Sequence, residues 1–174
     1  DALTGQMNRR ALDAVMHSYT AAAQGRRVRF SVLMLDIDHF KQVVDTHGQP
    51  VGDQALAAVA ARIVAQLRGG DSCARYGGEA FVVLLPDASL ARALEVAQRI
   101  RRQVAASPLA TEPPVQVSVS IGVAQHHAGM TAQSLLAAAD EAVYVAKREG
   151  HNQVRAAADA VDAEDSAPAS DRRH

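Results

Sequence analysis

Residues 75–86 read RYGGEAFVVLLP. Two glycines stand directly before a carboxylate, and an apolar run closes the stretch. Glycine pairs favour tight turns and apolar runs favour buried strands, so 72–76 and 80–85 are expected to be two short strands joined through GGE as a hairpin. Glu79 falls at the seam. Taken alone, an acid there reads as a solvated turn residue; the other possibility is that something positively charged is held at the tip.

Working outward, each flank has its own period. Residues 8–24 carry Leu12, Val15, Met16 and Tyr19 at helical spacing, with Gly25 expected to stop the helix ahead of a basic cluster. FSVLMLDID (30–38) reads as a strand apolar on both faces until its acids appear. A short helix around 39–46 ends at Gly48 and Pro50. Asp53 is expected to open a stronger helix as its N-cap, with Leu56, Val59, Ala60, Ile63 and Leu67 in one stripe before Gly69 and Gly70. Past the hairpin, Asp87 or Ser89 caps a helix bearing Leu90, Leu94, Ala97 and Val104. VQVSVSIGV (115–123) alternates cleanly and reads as one strand. A helix over 131–148 ends at Gly150, and NQVRA is expected to be an edge strand.

A hairpin plus a face-alternating strand argues for a mixed sheet with helices packed on it rather than an all-parallel one. The fold class expected is α/β (α+β), with a central, mainly antiparallel five-stranded sheet. One domain spans 1–155. Residues 156–174 are rich in Ala, Asp and Ser without periodicity, and are expected to form a disordered tail.

Composition narrows the partners. Of 174 residues, 48% are hydrophobic, enough for a sizeable core, and with 3% aromatic the packing must be aliphatic. Lys+Arg (18) nearly balance Asp+Glu (19), which gives no extended basic face for nucleic acid or an anionic membrane. A phosphorylated small molecule needs only a few local cations. The single cysteine, Cys73, excludes an internal disulfide and fits a reducing, cytoplasmic setting. No apolar stretch approaches the ~18 residues of a membrane span. The chain begins at Asp1 without Met, so a preceding sensor or regulatory domain is expected.

The acids at strand ends carry the chemistry. Asp36 follows the apolar run 31–35, and Asp38 lies two residues on, on the same side of an extended chain. If the hairpin pairs beside the first strand, Asp36 and Glu79 converge. Two converging carboxylates repel, and Mg²⁺ is the usual solution. Each also has a plain structural reading: Asp36 as a helix cap, Asp53 as an N-cap, Lys147 as a cation favoured by a helix C-terminus.

Together these segments resemble one family, the GGDEF domains, which are diguanylate cyclases making cyclic di-GMP from GTP. DALTGQMNRRAL (1–12) is similar to the family's opening D-x-L-T-G-L-x-N-R-R. LDIDHFKQVVDTHGQPVGDQAL resembles its L-D-I-D-x-F-K-x-I-N-D-x-x-G-H-x-x-G-D segment, and RYGGEAF resembles its signature. SIGVA and ADEAVYVAKREGHN resemble its closing strand and helix. The resemblance implies a palm-like sheet similar to adenylyl cyclases and polymerases. It implies Mg²⁺ (or Mn²⁺) held by Asp36, the Ile37 carbonyl and Glu79, with Asp36 and Glu79 catalytic and Glu79 at the proposed proton-accepting position. Asp53 would read guanine, Lys41 and Lys147 would neutralise phosphate, the amides of His39, Phe40 and Lys41 would cradle the β- and γ-phosphates, and Gly77 and Gly78 would let the substrate come close. Each domain takes one GTP, so catalysis implies a homodimer.

Three positions depart from the family. Ala80 replaces an acid, Val44 replaces the Asn that helps read guanine, and His151 stands where an Arg touches the terminal phosphate. RGGD (68–71) resembles the R-x-x-D product-inhibition site, with Arg68 and Asp71 binding cyclic di-GMP; by itself this spacing equally describes a surface ion pair. Two readings follow: an active, product-inhibited cyclase, or a catalytically weak domain acting as a cyclic di-GMP-binding effector through Arg68 and Asp71. Val44 also leaves open a cyclase of other base specificity.

Overall fold

A computed structural model of the chain describes residues 1–24 and 28–158. The sheet is built around β1 (Phe30–Ile37), which is apolar along nearly its whole length and so needs cover on both faces. It is flanked on one side by β3 (Ala80–Pro86) and on the other by β4 (Val119–Gln125), both antiparallel to it. β2 (Ser72–Gly77) completes the hairpin with β3, and β5 (Val154–Ala156) adds a parallel edge beside β4. The order β2-β3-β1-β4-β5 is the mixed, mainly antiparallel five-stranded sheet expected.

Among the described residues five helices dress the sheet: α1 (Arg9–Ala23), α2 (Phe40–His47), α3 (Gln49–Val64), α4 (Leu90–Ala105) and α5 (Ala132–Arg148). Alternation along β1 sorts the two faces. Ser31, on the odd-numbered face, donates its hydroxyl to the Ala88 carbonyl at 2.8 Å, just ahead of α4. Met34 and Asp36 lie on the other face, opposite Gly122 and Ser120 of β4. That face carries α5: a Cβ on Gly122 would stand 2.0 Å from the Ala139 carbonyl oxygen, so α5 rests directly on the strand. Phe30, Leu33, Leu35, Phe81, Leu84 and Ile100 are among the fully buried side chains. Each such side chain contributes roughly 1.5–3 kcal/mol by leaving water. Cys73 is buried in this core, which pushes its thiol up to about 12.

Several expectations shift. Asp53 does not open its helix: α3 begins at Gln49 with Pro50 in its first turn, and Gly48, at φ 90°, makes the sharp junction with α2. α3 stops at Val64, short of Leu67. The 115–123 alternation is one strand only from Val119, while Val115 instead bridges Leu109. Ser89, not Asp87, caps α4, accepting from the Arg92 amide at 3.2 Å. The opening segment has an unforeseen role. Asp1 accepts from the Thr4 amide and hydroxyl, and Met7 pairs along β2, covering that strand's outer edge. β5 runs to Ala156, and Ala157 is buried with its amide on the Val123 carbonyl, so folded structure continues past 155. The expected stop at Gly25 and residues 159–174 of the expected tail lie outside the described residues. Among the described residues no helix is long and apolar enough to cross a membrane.

Candidate active site

The hairpin pairs beside β1, so Ala80 stands opposite Asp36 and the turn Gly78–Glu79 hangs over the end of β1. The Ile37 amide donates to the Glu79 carbonyl at 3.2 Å, which pins the tip there. Gly77 and Gly78 have nothing within 4 Å of a built Cβ, and neither needs a positive φ. What they provide is open space above the acids.

Asp36 is the most constrained of these groups, its side chain only 16% exposed. One carboxylate oxygen is ion-paired with Lys147 Nζ from the last turn of α5, while the other is buried with no partner. Burial pushes its pKa above the ordinary carboxylate range. The Lys147 hydrogen bond and charge pull it back, and the negative charges of Glu79 and Asp38 raise it again. The site thus concentrates negative charge around an orphaned oxygen and answers it with one lysine.

These donors fit a hard divalent ion. Asp36, Glu79 and the Ile37 carbonyl offer oxygen only, and the unpartnered Asp36 oxygen is a ligand in waiting. Among the described residues no cluster of three or more His, Cys, Asp and Glu is placed to hold a metal. An ion here would therefore complete its shell with water and substrate oxygens, as Mg²⁺ commonly does.

Asp38, two residues beyond Asp36, is held by hydrogen bonds from three segments. Only 4% exposed, it turns inward and accepts from Ser118 and Ser120 hydroxyls, each at 2.6 Å, and from the Asn152 amide at 2.9 Å. It ties together the end of β1, the approach to β4 and the turn between α5 and β5. The serines of VSVS were the available signal, since a buried carboxylate needs donors on the neighbouring strand.

On the other side of Asp38, His39 caps α2 in the left-handed region (φ 55°) without a side-chain cap bond. The first bonds within this helix start at Gln42, so the Phe40 and Lys41 amides lie in the donor-rich first turn. Lys41 is exposed. His151, also left-handed (φ 63°), places its ring 4.4 Å from that of His39 at 38°. The departure at 151 therefore puts two imidazoles side by side at the start of α2.

Val44 and Asp53 border the contact between α2 and α3. A Cβ on Gly52 would meet Val44 Cγ2 at 2.7 Å and Phe40 Cζ at 3.3 Å, so these helices approach through the missing side chain. Asp53 accepts from Gln49 Nε2 at 2.9 Å. Arg68 and Asp71 close the turn between α3 and β2: Asp71 accepts from the Arg68 amide at 2.8 Å and returns its own amide to the Arg68 carbonyl at 3.0 Å. This is a backbone clasp rather than a side-chain ion pair, and it lies at the opposite end of β2 from Glu79.

Residues 1–153 match the model of the diguanylate cyclase GGDEF domain. The chain is 42% identical over 158 residues to the response regulator PleD of Caulobacter vibrioides, covering 88% of this chain and 35% of PleD. It is 37% identical over 156 residues to the diguanylate cyclase DosC of Escherichia coli, covering 88% and 34% respectively. It thus spans about a third of the length of these relatives. Among solved structures, the GGDEF domain of DgcB from Caulobacter crescentus in complex with c-di-GMP superposes with a TM-score of 0.86 at 34% identity, covering 90% of this chain and 94% of that one. Motif order, sheet topology and these matches agree: the chain belongs to the GGDEF domain family of diguanylate cyclases.

Proposed function

We propose that this domain condenses two GTP molecules into cyclic di-GMP, releasing two pyrophosphates, across a homodimer in which each domain presents one GTP. The observation that carries this reading is the half-satisfied Asp36 carboxylate, one oxygen buried without a partner and the other ion-paired with Lys147. A divalent ion held by Asp36, the Ile37 carbonyl and Glu79 would supply charge neutralisation of the triphosphate and acidify the attacking hydroxyl.

The chain's own residues do the rest. First-turn amides of α2 and the Lys41 ammonium hold the β- and γ-phosphates. Lys147 is within reach to move from Asp36 to phosphate oxygen as the site fills. Glu79 accepts the 3′-hydroxyl proton. The 3′-oxygen then forms its bond to the α-phosphorus of the partner domain's GTP, and the bond to pyrophosphate breaks. Asp53 accepts from the guanine N–H groups. Arg68 and Asp71, remote from this centre, bind product and hold domains in a non-facing arrangement.

A second reading, a weak cyclase acting chiefly as a cyclic di-GMP-binding effector, is favoured by Val44, which offers the base neither donor nor acceptor, and by the absence of a carboxylate at Ala80. Glu79→Gln and Asp36→Asn test the carboxylate pair on which the cyclase reading depends. The cyclase reading expects both to abolish synthesis with circular dichroism unchanged. Undiminished turnover in either variant would remove the carboxylate pair from the mechanism.

A further inference from the structure

The chain leaves α5 through three successive residues of positive φ: Gly150 (123°), His151 (63°) and Asn152 (47°). Glycine adopts such angles freely. Two non-glycine residues in a row hold them only where the surrounding structure fixes the turn. Three backbone donors do part of this. The His151 amide donates to the Ala146 carbonyl at 3.0 Å, the Asn152 amide to Asp38 at 2.9 Å, and the Ile121 amide to the Gln153 carbonyl at 2.9 Å. The remaining anchor is a side chain from another layer of the fold. Arg101, near the end of α4, donates from Nη1 to Asn152 Oδ1 at 3.2 Å and from Nε to Gln98 Oε1 at 2.8 Å. Among the described residues no carboxylate pairs with Arg101, so its guanidinium is committed to these two amide oxygens.

Asn152 is therefore a pivot, its amide fixed to the end of β1 and its side chain to α4. One residue earlier, His151 sets its ring 4.4 Å from that of His39, at the start of α2. An Arg at 151 would reach its target along a flexible stem that absorbs small errors in backbone position. An imidazole turns about only two side-chain bonds, so its N–H goes where the backbone carries it. We propose that Arg101 is a positioning residue for the terminal-phosphate subsite. By holding Asn152 it keeps the 150–152 turn left-handed and His151 beside the first-turn amides of α2. This rests on reading His151 as a group that meets the terminal phosphate of GTP. It makes recognition of that phosphate depend on α4, which lies on the opposite face of the sheet from α5. The side chains of Asp36, Glu79 and Lys147 take no part in these contacts, and the bond that breaks is at the α-phosphate. Loss of Arg101 should thus appear in KM, with kcat little changed.

Titration calorimetry in the presence of Mg²⁺ tests it, with GDP and with 3′-deoxy-GTP, which lacks the attacking hydroxyl and is not consumed. Arg101→Gln should bind 3′-deoxy-GTP roughly tenfold more weakly and GDP within about twofold of wild type, because only the triphosphate carries the terminal group. Arg101→Lys should recover part of the loss, and Arg102→Gln, at an exposed neighbour on α4, should show none. Asn152→Gly removes the acceptor and suits φ 47°, so it should reproduce the loss, and adding Arg101→Gln to it should change nothing further. Wild-type affinity for 3′-deoxy-GTP in Arg101→Gln, with His151→Gly impaired, overturns the role of Arg101 and leaves the phosphate subsite standing. Equal losses for 3′-deoxy-GTP and GDP, or an equal loss in Arg102→Gln, also overturn it, as general loosening or bulk charge would then suffice. So does a further loss when Arg101→Gln is added to Asn152→Gly. Full affinity for 3′-deoxy-GTP in His151→Gly overturns the reading of His151 and this inference with it.

Discussion

Gly122→Ala is the change whose effect the fold specifies most sharply. Gly122 sits mid-β4 under α5, and its added Cβ would lie 2.0 Å from the Ala139 carbonyl oxygen, 2.7 Å from the Val143 nitrogen and 2.9 Å from the Ala142 Cβ. Two of these are backbone atoms, so no rotamer change relieves the clash. To restore a 3.4 Å contact with Ala139, helix and strand must part by 3.4 − 2.0 = 1.4 Å. Overpacking of this kind typically costs about 1–3 kcal/mol, and rigid backbone places this case at the upper end. At roughly 2–4 °C per kcal/mol for a domain of this size, the Tm should fall by about 6–12 °C. The displacement also has a local signature, because α5 carries Lys147 to Asp36. Thermal unfolding followed by circular dichroism gives the first readout, and GTP turnover at a temperature where the variant is folded gives the second. A Tm within about 2 °C of wild type would refute the argument that α5 rests on bare strand backbone, and normal turnover would refute the dependence of the site on that seating.

Val44→Asn should lower the KM for GTP, because it restores a polar partner worth ~1–3 kcal/mol to the base; an unchanged or higher KM means the base is read elsewhere or by Asp53 alone. Asp38→Asn leaves at least one buried donor poorly matched, so urea unfolding should report a loss of about 2–3 kcal/mol; wild-type stability would show that the three-way clasp is dispensable. Asp36 sets a pH dependence. Its folded pKa lies above the ordinary 3.8, so its contribution is fully present below that value and is lost as pH rises through the folded pKa. Metal-free domain should therefore lose part of its stability across that interval, and Asp36→Asn should flatten the slope; an identical slope in both proteins would contradict the burial of this carboxylate.

The parts of the fold visible in the sequence were those with a period. The GGE hairpin, the apolar β1 and the stripes of α1, α3 and α4 each bury a regular set of side chains, which pattern alone reveals. Local cap chemistry misled at Asp53, because Pro50 after Gly48 starts α3 earlier, and a carboxylate within the first turns of a helix looks much like one at its cap. The alternation of 115–123 ran past the strand because Val115 and Val117 are buried without joining the ladder. Within the site, convergence of Asp36 and Glu79 followed from which strand the hairpin joins, a choice the two acids made plausible in advance. The inward turn of Asp38, the His39–His151 contact and the pairing of Met7 with β2 depend on residues far apart in the chain. No local pattern encodes those.

This domain is proposed to join two GTP molecules. Incubating the protein with GTP and Mg²⁺ and resolving the products by chromatography tests it directly. Cyclic di-GMP and pyrophosphate are expected in a one-to-two ratio, with none formed by Glu79→Gln. GTP left intact by well-folded protein, at concentrations where two domains can meet, would contradict it.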